Sequence, residues 1–166
     1  MRLNLVVPCF NEEDVLPHTA ERLLFMIDHL RQAEKIDDSS GIFLIDDGSR
    51  DRTWEIIQRL SADRENVHGI KLSRNEGHQN ALIAGLQIAP GDAVISIDAD
   101  LQDDIGVIEM MVDRYQQGFD VVYGVRAERE SDTWFKRWSA QGYYRLLRLM
   151  GVEIVFNHAD YRLLSR

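Results

Sequence analysis

The stretch Ala93-Val94-Ile95-Ser96-Ile97-Asp98-Ala99-Asp100-Leu101-Gln102 decides how the rest of the chain is read. Ala93–Ile97 is short, apolar and rich in β-branched residues, the pattern of a buried strand. Asp98 and Asp100 follow it at once, and in an extended backbone residues two apart point to the same side. Two neighbouring carboxylates repel unless a cation or a proton stands between them. Mg²⁺ and Mn²⁺ take oxygen ligands and are often held by one or two carboxylates plus substrate phosphates. Gln102 adds an amide oxygen or orients a metal-bound water. The competing reading is a pair of solvated loop acids, and the position at the end of a buried strand favours the metal.

The same layout recurs outward in both directions. Leu3–Val7 is an apolar run stopped by Pro8 and followed by Cys9-Phe10-Asn11-Glu12. Ile42–Ile45 runs into Asp46-Asp47-Gly48-Ser49, and Val121–Tyr123 into Gly124-Val125-Arg126. Val67–Leu72 is a further strand, and Val152–Phe156 a weak sixth. Between the strands lie helical patterns: Glu12 to about Ala33 with Asn11 as N-cap, Asp51 to about Ala62, a helix after Asn75-Glu76-Gly77, and Ile105–Gln117. Strand and helix alternate, which predicts an α/β fold: a mostly parallel sheet with helices on both faces. Right-handed crossovers then gather the strand C-terminal ends on one edge, where ligands bind.

A chain of 166 residues suits one domain, residues 1–166. Its net charge of −9 argues against unspecific nucleic-acid binding, which needs surplus Lys and Arg. Residues 1–125 carry 11 Lys/Arg against 23 Asp/Glu, whereas residues 126–166 carry 8 against 5, an acidic body with a basic end. The single Cys9 excludes an internal disulfide and fits a reducing compartment. No apolar run reaches the roughly 18 residues of a membrane span, and the first residues do not read as a signal peptide.

Arg126, Arg129, Lys136 and Arg137 open the basic end, and guanidinium groups grip phosphate bidentately. With Trp134, Phe135, Trp138, Tyr143 and Tyr144 they mark an amphipathic helix from Trp134 to about Met150. Such a helix lies at a membrane interface, shows a solvated face, or packs an ordinary core stripe. Asp46 and Asp47 either accept hydrogen bonds from a base or ribose, or simply form a turn with Gly48 and a Ser49 cap. Asp160, in His158-Ala159-Asp160-Tyr161-Arg162 after the last strand signal, acts as a base, holds a sugar hydroxyl, or pairs with Arg162. Neither a Gly-x-Gly-x-x-Gly nor a P-loop motif is present, and His and Cys show no zinc spacing.

Val6-Val7-Pro8-Cys9-Phe10-Asn11-Glu12-Glu13, Ile45-Asp46-Asp47-Gly48-Ser49 and Ser96-Ile97-Asp98-Ala99-Asp100-Leu101-Gln102-Asp103 resemble, in order and spacing, glycosyltransferase family 2 with its GT-A fold. Ser73-Arg74-Asn75-Glu76-Gly77-His78-Gln79, Tyr123-Gly124-Val125-Arg126, Phe135-Lys136-Arg137 and Asn157-His158-Ala159-Asp160-Tyr161-Arg162-Leu163 resemble its polyprenyl-phosphate branch, of bactoprenol glucosyltransferase and dolichol-phosphate mannosyltransferase type. The resemblance implies inverting transfer from a UDP- or GDP-linked sugar to polyprenyl phosphate. It implies Pro8, Phe10, Asn11, Glu12, Asp46 and Asp47 at the nucleotide; Asp98, Asp100 and Gln102 on Mg²⁺ or Mn²⁺; and Arg126, Arg129, Lys136 and Arg137 on phosphates. Asp98, Asp100, Arg126 and Asp160 form the catalytic set, with Asp160 near the sugar. Asp103-Asp104 departs from the proline-containing turn usual in relatives.

Such enzymes usually continue into amphipathic and membrane helices, so the expectation is a soluble part of a longer protein at the cytoplasmic face of the membrane. Its partners are then a nucleotide sugar, a polyprenyl phosphate and the membrane surface, with no nucleic acid; a homo-oligomer is left open. Alternatives are a family 2 transferase acting on a saccharide or protein hydroxyl, and a non-catalytic nucleotide-binding fragment. A nucleotidyltransferase is disfavoured because Pro8-Cys9-Phe10-Asn11-Glu12-Glu13 stands where its Gly-rich phosphate loop belongs.

Overall fold

The computed structural model describes residues 1–125 and 158–166. In chain order the elements are β1 (Leu3–Cys9), α1 (Leu16–Gln32), β2 (Gly41–Asp46), α2 (Thr53–Asp63), β3 (Val67–Lys71), α3 (His78–Ile88), β4 (Ala93–Ser96), α4 (Val107–Gln116), β5 (Val121–Val125) and β6 (His158–Ser165). The strands form one sheet in the order β3-β2-β1-β4-β6-β5. β1 pairs in parallel with β2 and β4, and β2 with β3, while β6 runs antiparallel between β4 and β5.

The period-2 alternation of each strand sorts its side chains between two layers. Leu3, Leu5 and Val7 of β1, Ile42 and Leu44 of β2, and Ala93 and Ile95 of β4 share a core with Leu16, Leu23, Ile27 and Leu30 of α1, Ile57 of α2, and Ile108 and Met111 of α4. Val6, Phe43, Ile45 and Val94 face the other way, onto Ala81 and Leu82 of α3. Each buried Leu or Ile contributes about 1.5–3 kcal/mol relative to exposure, so the layers fix strand register. Helix α3 comes close because Gly85 lacks a side chain: a Cβ there would stand 2.4 Å from Val6 Cγ1 and 2.9 Å from Ile45 Cγ1.

Three local expectations are corrected. Pro8 does not stop β1, which continues to Cys9 with Pro8 opposite Ile45. Pairing with β4 ends at Val6–Ser96, and Ile97 N–H closes on the Val6 carbonyl. A residue without an N–H therefore sits where β1 and β4 part, and no ladder bond is lost. Asn11 does not cap α1, which begins at Leu16 with Pro17 in its first turn. Asn11 is in the left-handed region (φ 57°), donating its N–H to Ser49 Oγ (3.0 Å) and accepting from the Arg50 N–H (2.9 Å). Ser49 is thereby spent on Asn11, and Asp51 Oδ1 accepts the Thr53 N–H (3.0 Å) at the start of α2.

The sixth strand expected at Val152–Phe156 lies outside the described residues. His158–Ser165, expected as a segment beyond the last strand, is itself a strand, with Tyr161 and Leu163 buried. Asp160 and Arg162 break the apolar run, but they alternate with buried Tyr161 and Leu163 as a strand's polar positions do.

Candidate active site

The edge where β1, β2 and β4 end carries a cleft of about 150 Å³. Pro8, Phe10 and Glu12 line one side, and Asp47, Gly77 and His78 another. Phe10 is 40% exposed although aromatic, so its ring is offered to the cleft rather than to the core.

Asp47 builds the wall. Its carboxylate is buried and accepts the Glu76 N–H on Oδ1 (2.7 Å) and the Gly77 N–H on Oδ2 (2.9 Å). Those bonds tie the end of β2 to the loop that opens α3. Gly48 allows the approach: at φ +68°, a Cβ there would stand 2.6 Å from the Arg74 carbonyl carbon. Asp46 is fully enclosed; Oδ1 accepts the Ser49 N–H (3.1 Å), and Oδ2 is buried without a hydrogen-bond partner among the described residues. Asp46 thus shapes the turn, and Asp47 is the one at the cleft.

The extended backbone expected to aim Asp98 and Asp100 to one side does not run through both: Asp98 opens a turn and Asp100 lies within it. β4 ends at Ser96, and a turn follows in which the Leu101 N–H approaches the Asp98 carbonyl (3.5 Å) with Leu101 at φ 49°. Thr19 of α1 donates its hydroxyl to the Ala99 carbonyl, pinning the turn. Asp100 is exposed and its Oδ1 accepts the Gln102 N–H (3.1 Å). Asp98 is partly exposed, and His78 Nε2 stands 3.6 Å from its Oδ1.

Glu12 joins the two by electrostatics. Burial pushes its carboxyl above the usual carboxylate range, and the charges of Asp100, Asp51 and Asp98 push it further. Negative potential therefore concentrates here, on hard oxygen donors, which fits an oxygen-seeking divalent cation. Among the described residues, no three His, Cys, Asp or Glu side chains form a complete metal cluster. The donor set is an open one that a ligand's own oxygens would complete. Cys9 lines the cleft too, but burial and then Glu12 and Asp46 push its thiol far up, so it is no nucleophile.

The antiparallel course of β6 brings Asp160 to this edge, since Arg162 is in register with Ser96. Arg126, Arg129, Lys136 and Arg137, with the aromatic helix expected from Trp134, lie outside the described residues. Asn75, Gly77 and His78 were singled out by no chemical pattern: their loop is short, polar and outside any strand-end carboxylate motif. No helix among the described residues is long and apolar enough to cross a membrane.

The chain is 49% identical over 166 residues to "Uncharacterized glycosyltransferase YkoT" of Bacillus subtilis, covering 99% of this chain and 49% of that protein. It is 38% identical over 168 residues to "Prophage bactoprenol glucosyl transferase homolog" of Escherichia coli, covering 100% and 53%. It spans about half the length of these curated relatives. Its fold matches glucosyl-3-phosphoglycerate synthase from Mycobacterium tuberculosis in complex with Mn²⁺, UDP and phosphoglyceric acid, with a TM-score of 0.61 at 18% identity over 99% of this chain and 55% of that one. The sheet and its helices are thus of GT-A type. The family model for Glycosyl transferase family 2 matches residues 4–166, and the chain belongs to that family.

Proposed function

We propose that this chain carries the donor site of an inverting, metal-dependent glycosyltransferase that moves a sugar from a UDP- or GDP-linked donor to a polyprenyl phosphate. The observation that carries the reading is the meeting at one sheet edge of the Asp47 cleft and the Asp98–Asp100 turn. A nucleoside diphosphate needs both: a pocket for base and ribose, and charge compensation for the diphosphate. Pro8 and Phe10 give the pocket apolar surface; Asn11 shapes the loop beside it, and Asp46 and Asp47 hold its wall. Asp98 and Asp100 would hold Mg²⁺ or Mn²⁺, with Gln102 beside them. That cation, when bound, neutralises charge developing on the leaving diphosphate.

The acceptor is itself a nucleophile. A phosphate monoester has a second pKa of about 6, so it is largely dianionic at neutral pH, and no strong general base is needed. Asp160 therefore positions the sugar. Arg126, Arg129, Lys136 and Arg137 bind donor and acceptor phosphates at the cytoplasmic face of the membrane. The bactoprenol glucosyl transferase homolog among the relatives supports the lipid acceptor, and the Mn²⁺–UDP complex of the structural neighbour supports the metal.

The test is calorimetric titration of UDP and GDP with and without Mn²⁺, alongside transfer from radiolabelled nucleotide sugars to polyprenyl phosphate. Tighter nucleotide binding with Mn²⁺, lost in Asp98→Asn, is the expected result. An unchanged Mn²⁺ dependence in that variant sinks the metal assignment.

A further inference from the structure

Resting on that reading of the edge, the geometry assigns His78 as a positioning residue: its imidazole holds the Asp98 carboxylate in the orientation that a divalent cation and a nucleoside diphosphate require.

His78 is the first residue of α3, and its Nε2 stands 3.6 Å from Asp98 Oδ1. The separation is slightly longer than a hydrogen bond and within ion-pair distance. His78 also lines the cleft with Phe10, Glu12 and Asp47, so it lies between the two halves of the site. Its own place is fixed, because the Asp47 carboxylate clasps the N–H groups of Glu76 and Gly77 just before it. One buried carboxylate at the end of β2 thus sets the loop whose imidazole faces a second carboxylate beyond β4.

The residue type suits the task. A lysine here would bring a permanent positive charge that competes with a cation for Asp98. An imidazole donates one N–H even when uncharged, leaving the carboxylate's charge for the metal. Hydrogen-bond partners behind metal ligands commonly control metal affinity about 10–100-fold.

The experiment measures UDP affinity with and without Mn²⁺, the ratio giving the metal-dependent gain. In His78→Ala the gain should fall roughly tenfold. His78→Gln, whose amide N–H reaches in the same direction, should recover most of it. If Ala lowers the melting temperature enough to disturb binding, His78→Asn, too short to reach Asp98, replaces it. A residue that merely lines the cleft would weaken UDP equally with and without Mn²⁺, leaving the ratio unchanged; that result overturns the assignment. Equal loss in the Gln and Ala variants overturns it as well. Asp98→Asn separates the levels: if it loses the gain and His78→Ala does not, the inference fails and the donor site stands. If Asp98→Asn keeps the gain, the donor-site reading itself fails.

Discussion

Two pairs of aspartates follow strands of the same sheet and live in opposite surroundings. Asp46 and Asp47 are buried at the end of β2, and backbone N–H groups of Ser49, Glu76 and Gly77 point at their oxygens. Asp98 and Asp100 stand in a turn beyond β4, the first half-buried and the second exposed, beside His78 and Glu12. A buried carboxylate that accepts backbone N–H groups belongs to the scaffold, whereas a more exposed one beside other acidic side chains stands where a cation can reach it. The difference separates a pair that builds the site from a pair that works in it.

The sharpest way to break that comparison is Asp98→Asn. A partly exposed aspartate in a turn should cost under about 0.5 kcal/mol of stability, while metal-assisted transfer should fall roughly 100-fold or more, because charge stabilisation by such an ion is worth several kcal/mol. Thermal melts and the transfer assay measure the two. Asp47→Ala should differ in costing stability as well as transfer, because the same carboxylate holds the wall of the cleft. The substitution leaves the Glu76 N–H without its acceptor, while the Gly77 N–H keeps Asn75 Oδ1 (3.1 Å), at a cost of about 2 kcal/mol, and should lower the melting temperature by roughly 6 °C. A variant as stable as the parent would dissolve the distinction between the pairs.

Asp160→Asn comes next. With a polyprenyl phosphate acceptor that needs no base, transfer should drop less than about tenfold, well short of the loss expected of a general base. Abolished transfer would point instead to a hydroxyl acceptor.

The smallest effect is Glu12→Gln. The folded protein holds this carboxyl above its ordinary pKa, first by burial and then by Asp100, Asp51 and Asp98. Its ionisation therefore opposes folding: stability is greater below the unfolded-state pKa, near 4.5, and falls as pH rises through the folded value. The variant should melt slightly higher than the parent at pH 7 and equally at pH 4. No gain at pH 7 would mean that the acidic edge is not electrostatically strained.

Much of this edge was legible because polar residues after apolar runs have few other reasons to recur. Ile45-Asp46-Asp47 and Ile97-Asp98-Ala99-Asp100 announce strand ends by composition alone. What stayed hidden depends on partners distant in sequence. Asn11 is a good N-cap by type, yet Ser49 and Arg50 claim it from another loop. Pro8 stops most strands, yet here it falls where β1 leaves β4. Asp46 and Asp47 are adjacent and chemically identical, and only the loop arriving from β3 tells them apart. His78 falls within the Ser73–Gln79 resemblance, but its role was hidden because it depends on a distance to Asp98, which the parallel crossover creates.

The antiparallel β6 also imposes an order of events on folding. The β3-β2-β1-β4 half can form from residues before position 100 through successive crossovers. Among the described residues β4 then keeps one open edge until His158–Ser165 has been synthesised, and β5, which there pairs with β6, joins with it. Closing that long sequence separation is the slow, loop-entropy-limited step. An unpaired β4 edge is meanwhile a template for wrong strands. The turn bearing Asp98 and Asp100 follows that edge, so the acidic site is framed only once β6 has paired with β4.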